Sequence, residues 1–465
     1  MRDQAHMRGL FITGATGLIG RALLAVLDEE RFPRVYCLTR DPAALEIPGS
    51  TRRPSVVVRG SLLDREAYRK ALEVVQTVVH LAAATGKTNP EEYFKVNVEG
   101  TRALVEECRR AGVRNFLHVS TIAVKFKDKR RYYYAQSKEL AEQIVRAGGL
   151  NYVIVRPTIV LGRTAPAWIA LMKLARARVI PIIGDGAAPI QPIYLDDLVT
   201  CLSFILTQGR FANETIELGG PDTATLKEFL KQIHFHLYRK QASCIHIPRA
   251  PLITALSLVE RFSYSMLPVS VGQLAVFAND GTISPNDVFA QHAGRMKGIE
   301  EMLRLSCETG AEPQSSDTVV LEHECRVLSR YLIGRTPDRY VVGKYIEAHR
   351  ASDVWREARA VGYEGFLLKA AVIHPVTARV VDAYCRVFLP GSLVRKKSVL
   401  LLAILEASPS THGDIDAPER SRRSAVLAKL VWRGAVFMAL VSLGMATLGP
   451  LHLMLGPGGS RFKEQ

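Results

Sequence analysis

The sequence predicts an α/β protein: a doubly wound parallel sheet with a small substrate lid, followed by a mostly α-helical C-terminal region. Three observations lead there. Through residues 8–200, short apolar runs alternate with segments of helical periodicity, the pattern of a parallel sheet covered by helices. A glycine-rich turn, Thr13–Gly20, joins the first apolar run to the first helical one. From about residue 291 the strand pattern fades, and residues 318–334, 339–361, 364–386 and 396–407 read as helices. The chain has 465 residues, 48% hydrophobic and 23% charged, enough for more than one core and too apolar for wholesale disorder.

In chain order, strands are expected at Leu10–Thr13, Val35–Thr39, Val56–Arg59, Val78–Leu81, Phe116–Val119 and Tyr152–Val155, where Arg156 and Pro157 should end the last. Helices are expected near 20–30, 64–74, 91–111 and 134–147. A further strand, Thr215–Leu218, precedes a capping-box signature, Thr225 with Glu228, before an apolar run. These elements suggest four parts: a dinucleotide-binding domain over 1–205, a substrate lid over 206–290, a helical domain over 291–410, and a linker and tail over 411–465. No signal peptide is expected ahead of the first strand.

Gly434–Leu455 contains no Lys, Arg, Asp or Glu. As a helix it would span about 33 Å, enough for a bilayer core. Gly449, Pro450 and His452 weaken that span and leave a shallow hairpin or a buried terminal helix as alternatives. Arg420, Arg422, Arg423, Lys429 and Arg433 precede it, and the positive-inside rule would keep that side, and the sheet, on the cytoplasmic face of a membrane. The net charge of +16 is spread over both halves, with a local cluster at Lys125, Lys127, Lys129, Arg130 and Arg131. Without zinc-finger spacing or a basic–aromatic stripe, an anionic cofactor or an anionic membrane surface suits this charge better than nucleic acid. Seven scattered cysteines without a C-x-x-C pair point to a reducing compartment and to no metal site.

The run Thr13–Gly20 places Gly14, Gly17 and Gly20 between a strand and a helix. That is the Rossmann-type arrangement, in which a pyrophosphate approaches backbone N–H groups at a helix N-terminus. Gly14, Thr16, Gly17, Leu18, Ile19 and Gly20 are therefore candidate cofactor contacts. The second strand ends in Arg40, whose guanidinium suits the 2′-phosphate of NADP; Asp41 beside it could serve the 2′-hydroxyl of NAD. NADP is favoured, NAD less so. Tyr134 and Lys138 stand at i and i+4 on one helix face. A nearby ammonium lowers a phenol's pKa and makes it a usable acid or base for carbonyl–alcohol interconversion.

With these motifs in hand, residues 8 to about 285 resemble the extended or atypical branch of the short-chain dehydrogenase/reductase superfamily. The resemblance runs in order through Thr13–Gly20, Val79–Ala83, Asn97–Thr101, His118–Thr121, Tyr134–Lys138, Arg156–Pro157 and Gln191–Asp197. The short spacing from Thr121 to Tyr134, the Tyr134/Lys138/Glu142 series and the Arg40 ending are most similar to the complex I 39-kDa-subunit-like branch. The resemblance implies catalytic roles for Thr121, Tyr134 and Lys138, and a supporting proton-relay role for Asn97. It implies cofactor contacts at Ala82, Ala83, Lys138 and Pro157, and adenine contacts at Ser61 and Leu62. Ser61 stands where the superfamily usually has Asp.

The expected function is NAD(P)-dependent oxidoreduction of a carbonyl or secondary alcohol on a lipid-like substrate. Two other readings stay open: a non-catalytic NADPH-binding assembly or stability factor, and a sugar-nucleotide epimerase or dehydratase. His234, His236 and His246 read as structural, and Trp168–Met172 as core.

Overall fold

A computed structural model describes residues 9–40, 42–45, 56–86, 88–177, 179–263 and 270–307. The expected C-terminal helices, the linker, Asp41 and the uncharged run Gly434–Leu455 lie outside the described residues.

The chain begins with β1 (Gly9–Thr13), α1 (Leu18–Val26), β2 (Arg34–Thr39), β3 (Val56–Arg59), α2 (Arg65–Leu72) and β4 (Thr77–His80). A four-residue helix α3 (Pro90–Tyr93) then runs through a π-helical turn, Phe94–Glu99, into α4 (Gly100–Ala111). Next come β5 (Asn115–Val119), α5 (Tyr133–Arg146) and β6 (Asn151–Pro157). The expected strands all form, four of them one residue longer and β6 three; β4 is shifted one residue earlier and ends at His80 rather than Leu81. Pro157 does not end β6 early: it is the last residue of the strand, paired with Leu218 at the sheet edge.

Seven strands form one sheet in the order Glu214–Leu218, β6, β5, β4, β1, β2, β3, and every neighbouring pair is parallel. Order reverses between β1 and β4, which opens a crevice at the carboxyl ends of those strands. β1 shows why the sheet is buried on both faces. Its Leu10 and Ile12 join Leu23 and Leu202 on one side, and its Phe11 packs with Tyr68, Leu104 and Phe116 on the other. Side chains alternate along a strand, so a continuous apolar run feeds two cores.

The small subdomain is interleaved with the sheet rather than following it. After β7 (Val160–Leu161) come α6 (Pro166–Ala175), β8 (Val179–Ile183), β9 (Pro189–Ile190) and β10 (Ile193–Tyr194). Then α7 (Leu195–Gln208) and β11 (Glu214–Leu218) return to the sheet, so the stretch expected as lid supplies the sheet's edge strand. β12 (Ala224–Thr225), α8 (Leu226–Tyr238), β13 (Ser243–Ile247), α9 (Arg249–Ser263), α10 (Asp287–His292) and α11 (Ile299–Cys307) follow. Periodicity hides the short strands, because two residues carry no readable alternation. The fully buried Trp168 of α6 joins Phe229 and Leu230 of α8 and Met302 of α11 in a third core, so this apolar stretch is core as expected. The Thr225–Glu228 capping box forms with both bonds present. Among the described residues no helix is long and apolar enough to cross a membrane.

Candidate active site

The glycine turn is shaped by what a side chain would hit. Gly14 has φ of +75°, and a Cβ there would lie 2.6 Å from the Ala82 backbone nitrogen. β1 and the exit of β4 can touch only through a glycine. At Gly20 a Cβ would collide with the Gly14 carbonyl, so this residue keeps α1 tight against its own turn. The N–H of Gly17 donates to Gly14 O at 3.0 Å. No side chain caps the start of α1. Thr16, Leu18 and Ile19 complete a turn whose open helix N-terminus and absent Cβ atoms fit a dinucleotide pyrophosphate. When bound, that cofactor would supply or accept a hydride.

Around the cradle, Ala82 donates its N–H to Thr13 Oγ1 at 3.3 Å. Ala82 and Ala83 leave β4 at the crevice, half-buried. Arg40 follows β2 directly and is exposed. Leu62 is buried against Gly100, and its carbonyl accepts from Tyr68 Oη at 3.1 Å. Its side chain is thus core, so the adenine contact expected near Leu62 would be made by backbone; Ser61 beside it is half-buried. Pro157 is buried at the carboxyl end of β6.

The proton-transfer corner sits where α5 crosses β5. Lys138 is almost wholly buried, and its Nζ donates to Val119 O at the end of β5, at 2.7 Å. It also lies 3.2 Å from His118 Nε2. Burial lowers the Lys138 ammonium to about 7, although Glu142 pulls the other way. Tyr134, one turn earlier, is pushed up to about 12 by burial and by the neighbouring Tyr93. A lowered phenol is the expectation for Lys138 together with an oxidised nicotinamide. In this geometry burial dominates and Nζ is held by β5, so the phenol keeps its proton. Thr121 follows β5 and caps a short 3-10 turn, Ile122–Lys125, by accepting from Ala123 N at 3.3 Å.

Asn97 lies in the π-helical turn and is buried. Its Oδ1 accepts from Ala84 N at 2.7 Å, and its Nδ2 donates to Ala84 O at 3.1 Å and to Ser137 Oγ at 2.9 Å. Ser137 in turn donates to Tyr134 O at 2.8 Å. The side chain therefore fastens the exit of β4 to the helix that carries Tyr134. π-turns of this kind frequently mark functional sites.

Sequence reasoning missed the layer beneath. Glu142, fully buried, accepts Arg156 Nε at 2.8 Å and Arg156 NH2 at 2.6 Å, and Arg146 NH2 at 2.8 Å. Arg156 also lies 3.5 Å from Glu217, which Lys125 reaches at 2.7 Å. Burial alone would raise the Glu142 carboxyl, but the Arg156 bonds outweigh it and hold it below the ordinary range. The i+4 spacings from Lys138 to Glu142 and from Glu142 to Arg146 are visible in the sequence; Arg156 of β6, and through it Glu217 of β11 and Lys125, join only in the fold, which no local spacing reveals. That basic loop is also less free than expected, since Lys129 pairs with Glu139 at 2.7 Å and Arg130 with Asp128. His234 Nδ1 donates to Ala175 O at 2.7 Å and His246 Nδ1 to Gly184 O at 2.8 Å, both structural arrangements.

A glycine cradle at a strand-order reversal, with a Tyr–Lys pair on the helix beside it, defines a dinucleotide-binding fold of short-chain dehydrogenase/reductase type. Residues 10–219 match the model of the NAD dependent epimerase/dehydratase family. A protein of Caulobacter vibrioides named ceramide reductase is 29% identical over 255 residues, 54% of this chain and 77% of that one. The Arabidopsis thaliana mitochondrial protein named NADH dehydrogenase [ubiquinone] 1 alpha subcomplex subunit 9 is 24% identical over 278 residues, 58% of this chain and 67% of its own. A solved structure of gox2253 superposes with a TM-score of 0.52 at 22% identity, covering 64% of this chain and 96% of that one; it supports the fold.

Proposed function

We propose that the chain is an NADPH-dependent oxidoreductase that interconverts a carbonyl and a secondary alcohol on a lipid-like small molecule. What supports this reading is the seat of Lys138 at the carboxyl end of β5, on the helix that also carries Tyr134, together with the glycine cradle at the carboxyl end of β1. In the reducing direction Tyr134 delivers its phenolic proton to the carbonyl oxygen. Thr121 holds that oxygen by a hydrogen bond, and the Lys138 charge stabilises the tyrosinate left behind. Tyr93 and Tyr132 have ring centroids 6.2 and 6.1 Å from that of Tyr134, and Phe126 stacks on Tyr132. That aromatic rim suits an apolar substrate, as does the likeness to a protein named ceramide reductase.

Arg40 is the residue assigned to the 2′-phosphate, and the uncharged run Gly434–Leu455 is assigned to attachment at the cytoplasmic face of a membrane. The test is a panel of long-chain ketones and nucleotide sugars incubated with NADPH. Consumption of NADPH with the ketones supports the reading; turnover of nucleotide sugars alone overturns it. Sedimentation with membranes after a high-salt wash tests the attachment, and protein found wholly in the supernatant contradicts it. The likeness to a complex I subunit favours a second reading, an assembly or stability factor that holds NADPH without turning it over. Under that reading Tyr134→Phe would complement a deletion strain fully.

A further inference from the structure

The side chain that faces Lys138 most directly has no role in the reading above. His118 is fully buried on β5, its Nε2 is 3.2 Å from Lys138 Nζ, and its Nδ1 has no hydrogen-bond partner among the described residues. The neighbouring ring, His80 of β4, lies 5.1 Å away between centroids and is fixed in one tautomer. Thr101 donates its only hydroxyl proton to Asn97 O at 2.6 Å, so His80 Nε2 must donate to Thr101. His80 Nδ1 then accepts from Thr13 Oγ1 at 2.7 Å. Burial, then Lys138, lowers His80 to about 3, so it stays neutral. His118 is free of any such fixing.

We propose that His118 is the positioning residue that sets whether Lys138 carries its proton, through the contact between its Nε2 and Lys138 Nζ, and so sets the charge facing Tyr134. The inference rests on the Tyr134–Lys138 reading. An ammonium at Lys138 needs a bare Nε2 to accept its N–H, so the proton of the neutral ring must sit on Nδ1, where it has no partner. A neutral amine reverses this: Nε2–H donates to Nζ, and Nδ1 is left bare. Either way Nδ1 is left unmatched, as a donor beside the ammonium and as an acceptor beside the amine, at a cost of about 1–3 kcal/mol. The ring therefore serves both charge states of the lysine, and the pair exchanges tautomer and charge together. A doubly charged pair is excluded, since burial first, then Lys138, His80 and Arg146, holds His118 well below the ordinary imidazole range.

The other groups around Lys138 do not replace His118. From α5 itself, Glu142 is committed to Arg146 and Arg156, and Tyr134 is neutral. Arg156 of β6 is paired with Glu142 and Glu217. From α3, Tyr93 donates to Gly86 O, and Lys125 of the 3-10 turn holds Glu217.

The test follows Lys138 and His118 by NMR in the full-length chain carrying 13Cε-lysine and 15N-ring-labelled histidine, without added nucleotide. As Lys138 loses its proton with rising pH, the His118 ring nitrogens should exchange from the Nδ1–H to the Nε2–H pattern at the same midpoint. That measurement needs no variant. His118→Gln keeps an amide oxygen as acceptor without a tautomer, and should hold the Lys138 midpoint near that of wild type. His118→Phe removes the acceptor and should lower it by about one pH unit or more, tenfold in proton affinity. Ring signals that stay flat through the Lys138 titration, or three coincident lysine midpoints, overturn the proposal. Because the readout is the two side chains, it succeeds or fails independently of whether any ketone is reduced.

Discussion

The cofactor cradle and the proton-transfer corner lie at the ends of neighbouring strands, yet they are built by opposite means. The cradle is made of backbone. Gly14 and Gly20 serve by lacking a side chain, and what they must avoid is a few residues or one strand away. The corner is made of buried charge. Lys138, Glu142, Arg156 and Glu217 come from three elements and hold one another only after the sheet has formed. A backbone site tolerates no added atom, whereas a charge layer tolerates no missing partner.

That contrast can be broken most severely in the charge layer. Glu142→Gln leaves the half-buried Arg156 and the exposed Arg146 against a neutral amide, and should destabilise the fold by about 3 kcal/mol in urea unfolding. The same carboxyl predicts an acid dependence. Its folded value lies below the ordinary one, so its stabilisation is complete above the unfolded value and is lost as pH falls through the folded value. Wild type should therefore lose stability faster than Glu142→Gln on acidification below about pH 4.3. Equal slopes would place the acid sensitivity elsewhere.

In the cradle, Gly14→Ala must hold an L-residue at φ +75° and press a methyl on Ala82. Strain alone should cost roughly 1–2 kcal/mol, and the displaced turn should weaken dinucleotide binding further, measured by titration calorimetry with NADPH. Unaltered binding would mean that the turn does not receive the pyrophosphate. Arg40→Ala should weaken NADPH by roughly 1.5–3 kcal/mol and leave NADH unchanged. Equal loss for both nucleotides would remove Arg40 from the 2′ position. The smallest effect belongs to the small subdomain, where Thr225→Ala removes an exposed cap on α8 and should cost about 1 kcal/mol.

The same contrast explains what the sequence disclosed. The strands, the glycine turn and the Tyr134–Lys138 pair are local patterns with a fixed period, so each was visible without a structure. The Thr225 capping box was visible for the same reason. The pairing of Arg156 with Glu142, and the approach of His118 to Lys138, span 14 and 20 positions and depend on strand register. β11 was found as a strand, but its place beside β6 required a crossover that local patterning does not encode. Asn97 was singled out for a relay; the bonds by which its side chain fastens Ala84 to Ser137 are set by the π-turn rather than by spacing.

The central claim is that Tyr134 exchanges the substrate's proton beside a bound dinucleotide. Its most direct test is NADPH oxidation with the best long-chain ketone of the panel, followed in wild type and in Tyr134→Phe. The phenylalanine keeps the ring and removes only the proton donor. Turnover should fall about 100-fold or more while NADPH affinity is retained. Equal turnover in the two proteins would contradict the account.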